Sequence, residues 1–431
     1  MMVLGGATAC TDFIEIDPEN KVPEQGVDFT NKNNMYQPVV GAYSKVRTQG
    51  MHWCNALLMF TRDGDVWSGR TDDQGDAVAF GRKFNYNNSF WALNQVWMNF
   101  YDIIRITNAA LQSLDSYAEY LAAGSEDYKT YESYCGEVRT IRAWAYYCLV
   151  TNFGPTVIYR DNLQTDFRRS TVEAVYNYML EDLNYAIDKL PRMRPNQMEH
   201  KGAVTAFTAQ ALAARIYLLK GDYAQVETLT DDIIKNGGFR LYDDFYQLFK
   251  IPGKLCDESL FECQVTDYGN GSGDYLGVDQ WFNFQGPNMA ERYDEVVNAD
   301  GTISYKQAEG TKSIGGWNFI GYEPEFVAWA EARGEGVRAE TSFLKALSKT
   351  REGWQVGPTS ATKTDCWNGK GYLPYNQMTL PRTTYGANNN VRIVRYAEVL
   401  LNYAEAKAEL GTLTQNDLAI TVNEIRSRVG M

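Results

Sequence analysis

Residues 203–238 read AVTAFTAQALAARIYLLKGDYAQVETLTDDIIKNGG, and this stretch decides the fold. Ala206, Ala209, Ala213, Ile216 and Tyr217 recur at the three- and four-residue spacing of one helix face. Gly221-Asp222 turns the chain, and Val226, Leu229 and Ile233 mark a second helix running up to Gly237-Gly238. Small residues on one helix let its neighbour approach closely, so the pair reads as a tetratricopeptide-like hairpin. The same grammar returns at the end of the chain. Val399, Tyr403, Ala406 and Leu410 precede a break at Gly411, then Leu418, Val422, Ile425 and Val429 follow.

Other segments extend the helical reading. Over 134–153, Val138, Ile141, Ala145, Cys148 and Leu149 keep helical spacing until Gly154-Pro155. Ser170-Thr171-Val172-Glu173 then reads as a capping box, in which Ser170 and Glu173 satisfy each other's free backbone donors. The stripe behind it is Val175, Met179, Leu183, Ile187 and Leu190, with Pro191 as the stop. The helix pairs are unevenly spaced, so the chain is not a regular solenoid. The expected fold is mainly α: a scaffold of helix pairs over about 97–238 and 393–431. Long loop-rich insertions at about 50–95 and 240–392 carry a few short strands, one being Ser259–Val265. No linker or low-complexity run divides the chain, which points to a single domain. Loops this long on a helical scaffold are where a binding face is expected.

Composition narrows the function. Forty-one Lys and Arg against 54 Asp and Glu give a net charge of −13, which disfavours nucleic acid and anionic lipid as partners. The two histidines, His52 and His200, lie in no triad or metal-ligand pattern, and no cofactor motif is present. Asp63, Asp65, Asp72 and Asp73 fail the spacing of a calcium loop, so no metal is expected. No C-x-x-C pair occurs, and the pairing of Cys54, Cys135, Cys148, Cys256, Cys263 and Cys366 is not readable; Cys148 lies on an apolar helix face and reads as core. Aromatic residues make up 13% of the chain, 29 of them tyrosines, and many sit in polar, Gly/Asn-rich stretches. Aromatics that folding does not require suggest a surface that stacks on a ligand.

Cys10 follows the apolar run Met1-Met2-Val3-Leu4-Gly5-Gly6-Ala7-Thr8-Ala9. A small residue directly before a cysteine, at the end of such a run, is the form of a bacterial lipoprotein processing site. Residues 1–9 are then the remainder of a signal peptide that begins before this chain, and Cys10 carries the lipid anchor.

Five segments in order resemble one family. They are Cys10-Thr11-Asp12-Phe13-Ile14; Trp97-Met98-Asn99-Phe100-Tyr101-Asp102-Ile103-Ile104 with Asn108 and Leu111; and Gly136-Glu137-Val138-Arg139-Thr140-Ile141-Arg142-Ala143 with Tyr146 and Phe153-Gly154. Glu181-Asp182-Leu183-Asn184-Tyr185-Ala186 with Leu190-Pro191 comes next, and then the run from Arg395 to Ala406 with Asn423-Glu424-Ile425-Arg426-Ser427-Arg428. Together they resemble the SusD/RagB-type nutrient-binding lipoproteins of the Bacteroidetes outer membrane. The resemblance implies a SusD-like fold over 10–431. It also implies surface exposure at the outer membrane through the lipid on Cys10, an oligosaccharide ligand, and a SusC-like TonB-dependent transporter as partner. It implies no catalysis and no cofactor. Family members continue beyond the last arginine-rich helix, so the C-terminus is expected to be truncated.

Sugars offer apolar C–H faces ringed by hydroxyls, and their sites combine flat aromatics with hydrogen-bonding side chains. The ligand-binding candidates are therefore Trp67 with Asp65 and Arg70, Trp91 after Asn87-Asn88-Ser89, and Trp281 and Trp317 in the large insertion. Each tryptophan has an alternative task, packing a loop onto the helices. Trp97 and Trp144 lie on helices and are assigned to the core, while Glu398 and Glu405 are expected to tie adjacent helices together. Two other functions are compatible with the sequence: capture of peptide or other non-sugar cargo, and glycoside hydrolysis by two carboxylates.

Overall fold

At the centre of the 203–238 hairpin Gly221 has a φ of 71°, the left-handed conformation that glycine adopts without penalty. The helices on either side start at polar caps. The Thr205 hydroxyl accepts from Thr208 N, and the Asp222 carboxylate accepts from Gln225 N. The computed structural model describes residues 26–62, 64–68, 90–265 and 389–431. In the large insertion it also describes 281–282, 284–286, 289–290, 293–309, 313–314, 316–317, 319–357 and 365–377.

The helices in chain order are α1 (Gln37–Lys45), α2 (Trp53–Phe60), α3 (Trp91–Ala118), α4 (Glu126–Phe153), α5 (Val172–Lys189), α6 (Ala206–Lys220) and α7 (Tyr223–Asn236). They continue with α8 (Pro324–Ala332), α9 (Gly336–Ser342), α10 (Tyr396–Glu409), α11 (Gln415–Ile420) and α12 (Val422–Ser427). From α3 to α7 each helix packs on the next, and α10 closes against α7. The fold is mainly helical, as the periodicity indicates.

Several boundaries differ from the sequence reading. α3 starts at Trp91, inside the stretch taken as loop, and α4 starts at Glu126 because Ser125 caps it, accepting from Tyr128 N, with Glu126 and Asp127 favouring the first turn. The cap of α5 is Thr171, whose hydroxyl accepts from Ala174 N at 3.2 Å; Ser170 and Glu173 do not form the expected box. The helix expected after Gly411 is two short ones. Between them the buried Thr421 leaves helical geometry (ψ −93°) and its hydroxyl donates to the Asp417 carbonyl at 2.5 Å. The six cysteines from Cys54 onward are free thiols, and Cys148 is core.

The described strands pair as two-stranded antiparallel ladders. β1 (Val66–Ser68) pairs with β7 (Ile320–Tyr322), β2 (Ser259–Cys263) with β10 (Val391–Arg395), and β3 (Met289–Ala290) with β6 (Ser313–Ile314). β4 (Tyr293–Val297) pairs with β5 (Ile303–Gln307), and β8 (Phe343–Lys345) with β9 (Cys366–Asn368). The β2–β10 ladder sets Cys263 opposite Val391 and Ser259 opposite Arg395, so it clamps the base of the large insertion. Glu258, fully buried beside it, accepts from Arg395 at 2.7 Å and from Arg428 at 2.6 Å, which fastens the C-terminal helices to the same base.

The motif charges are interhelical. Arg142 on α4 forks onto Asp182 of α5 at 2.8 and 2.7 Å and donates to Asn108 Oδ1 of α3 at 2.7 Å. Both charged residues are almost fully buried, and Arg139 adds a longer contact to Asp182 at 3.3 Å. Glu398 of α10 accepts from Arg215 of α6 at 2.5 Å, whereas Glu405 faces solvent and has no interhelical partner among the described residues. Glu137, 1% exposed, accepts from the Tyr43 hydroxyl at 2.8 Å and the Tyr36 hydroxyl at 3.2 Å, with no cation paired to it among the described residues. Burial pushes its carboxyl up to about 7, against the two tyrosine hydrogen bonds that lower it.

Two outcomes follow. Asp182→Ala leaves a buried guanidinium unpaired and should cost about 3–5 kcal/mol in denaturant unfolding. Glu137 binds its proton more tightly folded than unfolded, so its stabilising contribution is complete below the unfolded carboxyl range and is lost as pH rises through about 7. Glu137→Gln should therefore melt close to the parent at pH 5 and above it at pH 8, by on the order of 2 kcal/mol. An equal gap at both pH values would show that the carboxyl is already ionised at pH 5.

Candidate functional site

Three distant segments converge on Trp53. It opens α2, where the short apolar run Trp53–Phe60 buries its inner face and leaves the first residue half-exposed. Trp91 opens α3 and lies edge-on to Trp53, with ring centroids 5.4 Å apart at 67°. Trp317 meets Trp53 at 6.0 Å and 84°. Phe319 lies at 6.4 Å and stacks on the buried Phe284 at 5.1 Å and 21°. The Phe319 N–H donates to the Phe284 carbonyl, which fixes this segment against the cluster. Trp91 is 52% exposed, so its indole projects outward while the rings beneath hold it.

His52 supplies a polar edge. It caps α2, and its Nδ1 accepts from Cys54 N at 3.2 Å, which leaves the proton of the neutral ring on Nε2. Burial lowers its pKa from the ordinary imidazole value, so the ring is neutral at pH 7 and Nε2–H is a hydrogen-bond donor. The imidazole lies 6.0 Å from the Trp53 ring at 24°. Flat apolar rings with a fixed neutral donor at the edge match a pyranose face and its hydroxyls.

The sequence candidates have separate fates. Trp91 and Trp317 share this cluster. The Trp67 backbone pairs with Gly321 in the β1–β7 ladder, bringing its strand beside the segment that carries Phe319; its side chain lies outside the described residues. Arg70 and Cys10 also lie outside them. Asp65 is exposed, and its carbonyl accepts from Glu323 N at 2.9 Å, extending the ladder. Trp281 is a correction. It is 6% exposed and packs edge-on against Phe60 at 5.4 Å, so neither face is free for a ligand.

Sequence reasoning did not single out Trp53 or His52 as ligand contacts; they lie in the 50–95 stretch taken as loop-rich, where the structure instead forms α2. The same reasoning assigned Trp97 wholly to the core. Trp97 is half-buried and, with Met98, Tyr101, Arg105, Tyr159 and Phe167, lines a groove of about 380 Å³ beside α3. Trp144, by contrast, is core as expected, at 5% exposure. Among the described residues no cluster of His, Cys, Asp and Glu could hold a metal ion, and no helix is long and apolar enough to cross a membrane.

Residues 12–218 match the family described as "Starch-binding associating with outer membrane", and residues 258–431 match the SusD family. A curated relative, a "SusD-like protein" of Bacteroides ovatus, is 24% identical over 368 residues. That match covers 78% of this chain, and the chain spans 59% of the relative's length. Among solved structures, a laminarin-binding SusD-like protein superposes with a TM-score of 0.71 at 21% identity, covering 93% of this chain and 84% of its own. Surface glycan-binding protein A from Bacteroides uniformis gives 0.70 at 22%, covering 93% and 81%. A structure with xylogluco-oligosaccharide gives 0.70 at 18%, covering 92% and 76%. With two family matches that together span most of the chain, over 12–218 and 258–431, this chain belongs to the SusD/RagB family.

Proposed function

We propose that the protein is a non-catalytic surface lipoprotein that captures an oligosaccharide and passes it to a TonB-dependent transporter in the outer membrane. The observation that carries this reading is the Trp53–Trp91–Trp317 cluster, in which the exposed Trp91 indole lies edge-on to Trp53 and Trp53 in turn meets Trp317 and the His52 ring. Stacking of this kind recognises a sugar face without performing a reaction. Support comes from the relatives, two of which are named for binding laminarin or surface glycan. Trp67, Asp65 and Arg70 remain proposed ligand contacts; the Trp67 backbone lies in the β1–β7 ladder, while its side chain and Arg70 lie outside the described residues. Cys10 is the proposed lipid anchor that holds this face at the cell surface.

A glycan array followed by titration calorimetry tests the ligand. Trp91→Ala and Trp53→Ala should each weaken binding of the recognised oligosaccharide about tenfold, or ~1.4 kcal/mol, while Trp281→Phe leaves it unchanged. Unaltered affinity in the Trp91 variant, or release of reducing ends from the bound glycan, would sink the reading; retention of peptides in place of glycans would favour the non-sugar alternative. For the anchor, Cys10→Ser in the complete precursor should abolish incorporation of labelled palmitate and release the protein from the outer-membrane fraction. Co-purification of a TonB-dependent transporter with the lipidated protein tests delivery.

A further inference from the structure

A second cavity, of about 350 Å³, opens between α1, the turn at 200–203 and β2. Its wall includes Tyr36, Ser44, Arg47, His200, Lys201 and Gln264. Arg47 is half-buried and has no hydrogen-bond or ion-pair partner among the described residues. A half-buried guanidinium without such a partner keeps its donors open to a ligand entering the cavity, and it is the side chain best shaped to take a planar or tetrahedral oxyanion. Lys201 spends one donor on the Asn196 carbonyl at 2.9 Å and keeps its charge and remaining donors.

One carboxylate, Glu262, also lines the cavity, but it is committed elsewhere. Its Oε2 accepts from both Asn390 Nδ2 at 2.7 Å and Leu255 N at 3.1 Å, and its Oε1 faces the Arg392 Nε cation 3.5 Å away. The two cations of the cavity are therefore not cancelled within it, in a chain whose net charge is −13. The cavity also offers a ring face: His200 lies flat on Tyr36, with centroids 3.7 Å apart at 10°. Tyr36 is fixed from behind by the hydrogen bond from its hydroxyl to Glu137.

We infer that this cavity binds the anionic group of an acidic sugar, a uronate carboxylate or a sulfate ester, with Arg47 as the primary contact and Lys201 as the second. The assignment of a sugar, rather than a bare oxyanion, rests on the glycan-binding reading. The anion contact itself does not depend on it.

The test is ligand-observed NMR and calorimetry with D-glucuronate, D-glucose 6-sulfate, D-glucose and sodium sulfate. Whichever acidic sugar matches the site should bind in the millimolar range and weaken as salt rises, with D-glucose at least about tenfold weaker. Arg47→Gln should lose about tenfold or more in affinity, and the surface substitution Lys201→Gln about threefold. Trp91→Ala should leave acidic-sugar binding unchanged, so loss of the aromatic site and loss of this one are separately visible. Parent affinity in both Arg47→Gln and Lys201→Gln, or equal affinity for glucose and both acidic sugars, would overturn the anion site. Sodium sulfate binding as tightly as the better acidic sugar would overturn the sugar assignment.

Discussion

Arg142 is the constraint on which the scaffold rests. A guanidinium is the least forgiving group to place in a helical core, because it must find an anion and acceptors for its donors at fixed angles. Here it takes both oxygens of Asp182 and the amide oxygen of Asn108, so one side chain sets the spacing of three helices at once. Tyr178 lies against the guanidinium with its ring centre 5.3 Å away. Burial opposes the charge, yet Asp182 holds the Arg142 pKa above its ordinary value, so the charge persists at any working pH. Apolar contacts along α3, α4 and α5 supply the bulk of the stabilisation and tolerate small slides. The fork does not, and it converts a greasy bundle into a defined register.

That register positions the proposed ligand face indirectly. The N-terminal end of α3 carries Trp91, and a helix locked at Asn108 has no freedom to rotate its first turn. α2 brings Trp53 up to the same point, and Asn99 of α3 donates to Asn55 of α2 at 3.3 Å beneath the aromatic rings. The proposed binding surface is therefore built partly on helix ends rather than wholly on loops, which favours preorganisation over adaptation.

Much of this was legible in the sequence, for a local reason. Helical periodicity, glycine turns and polar caps act over a few residues, so the hairpin at 203–238 is readable from its own letters. Boundaries set by chemistry without apolar periodicity were harder: residues 126–133 carry no stripe, and only the Ser125 cap announces the start of α4. The site was partly legible for the opposite reason. Trp281 and Trp317 sit in similar Gly- and Asn-rich surroundings, yet one is sealed against Phe60 and the other joins Trp53. Nothing within reach of either residue in sequence distinguishes them. Trp53 and Trp317 are far apart along the chain, and such meetings are decided by the packed scaffold rather than by local pattern.

The antiparallel clamp between Ser259–Cys263 and Val391–Arg395 has an evolutionary consequence. Once the two ends of an excursion are fastened, lengthening it costs only slowly increasing closure entropy, about 0.6 kcal/mol for each doubling. The exposed parts of the segment between them, such as the β4–β5 hairpin, can therefore be rewritten, shortened or enlarged with little penalty to the helices below, while core residues such as Phe284 and Trp367 stay fixed. Selection can retune which nutrient such a protein recognises while inheriting the foundation intact.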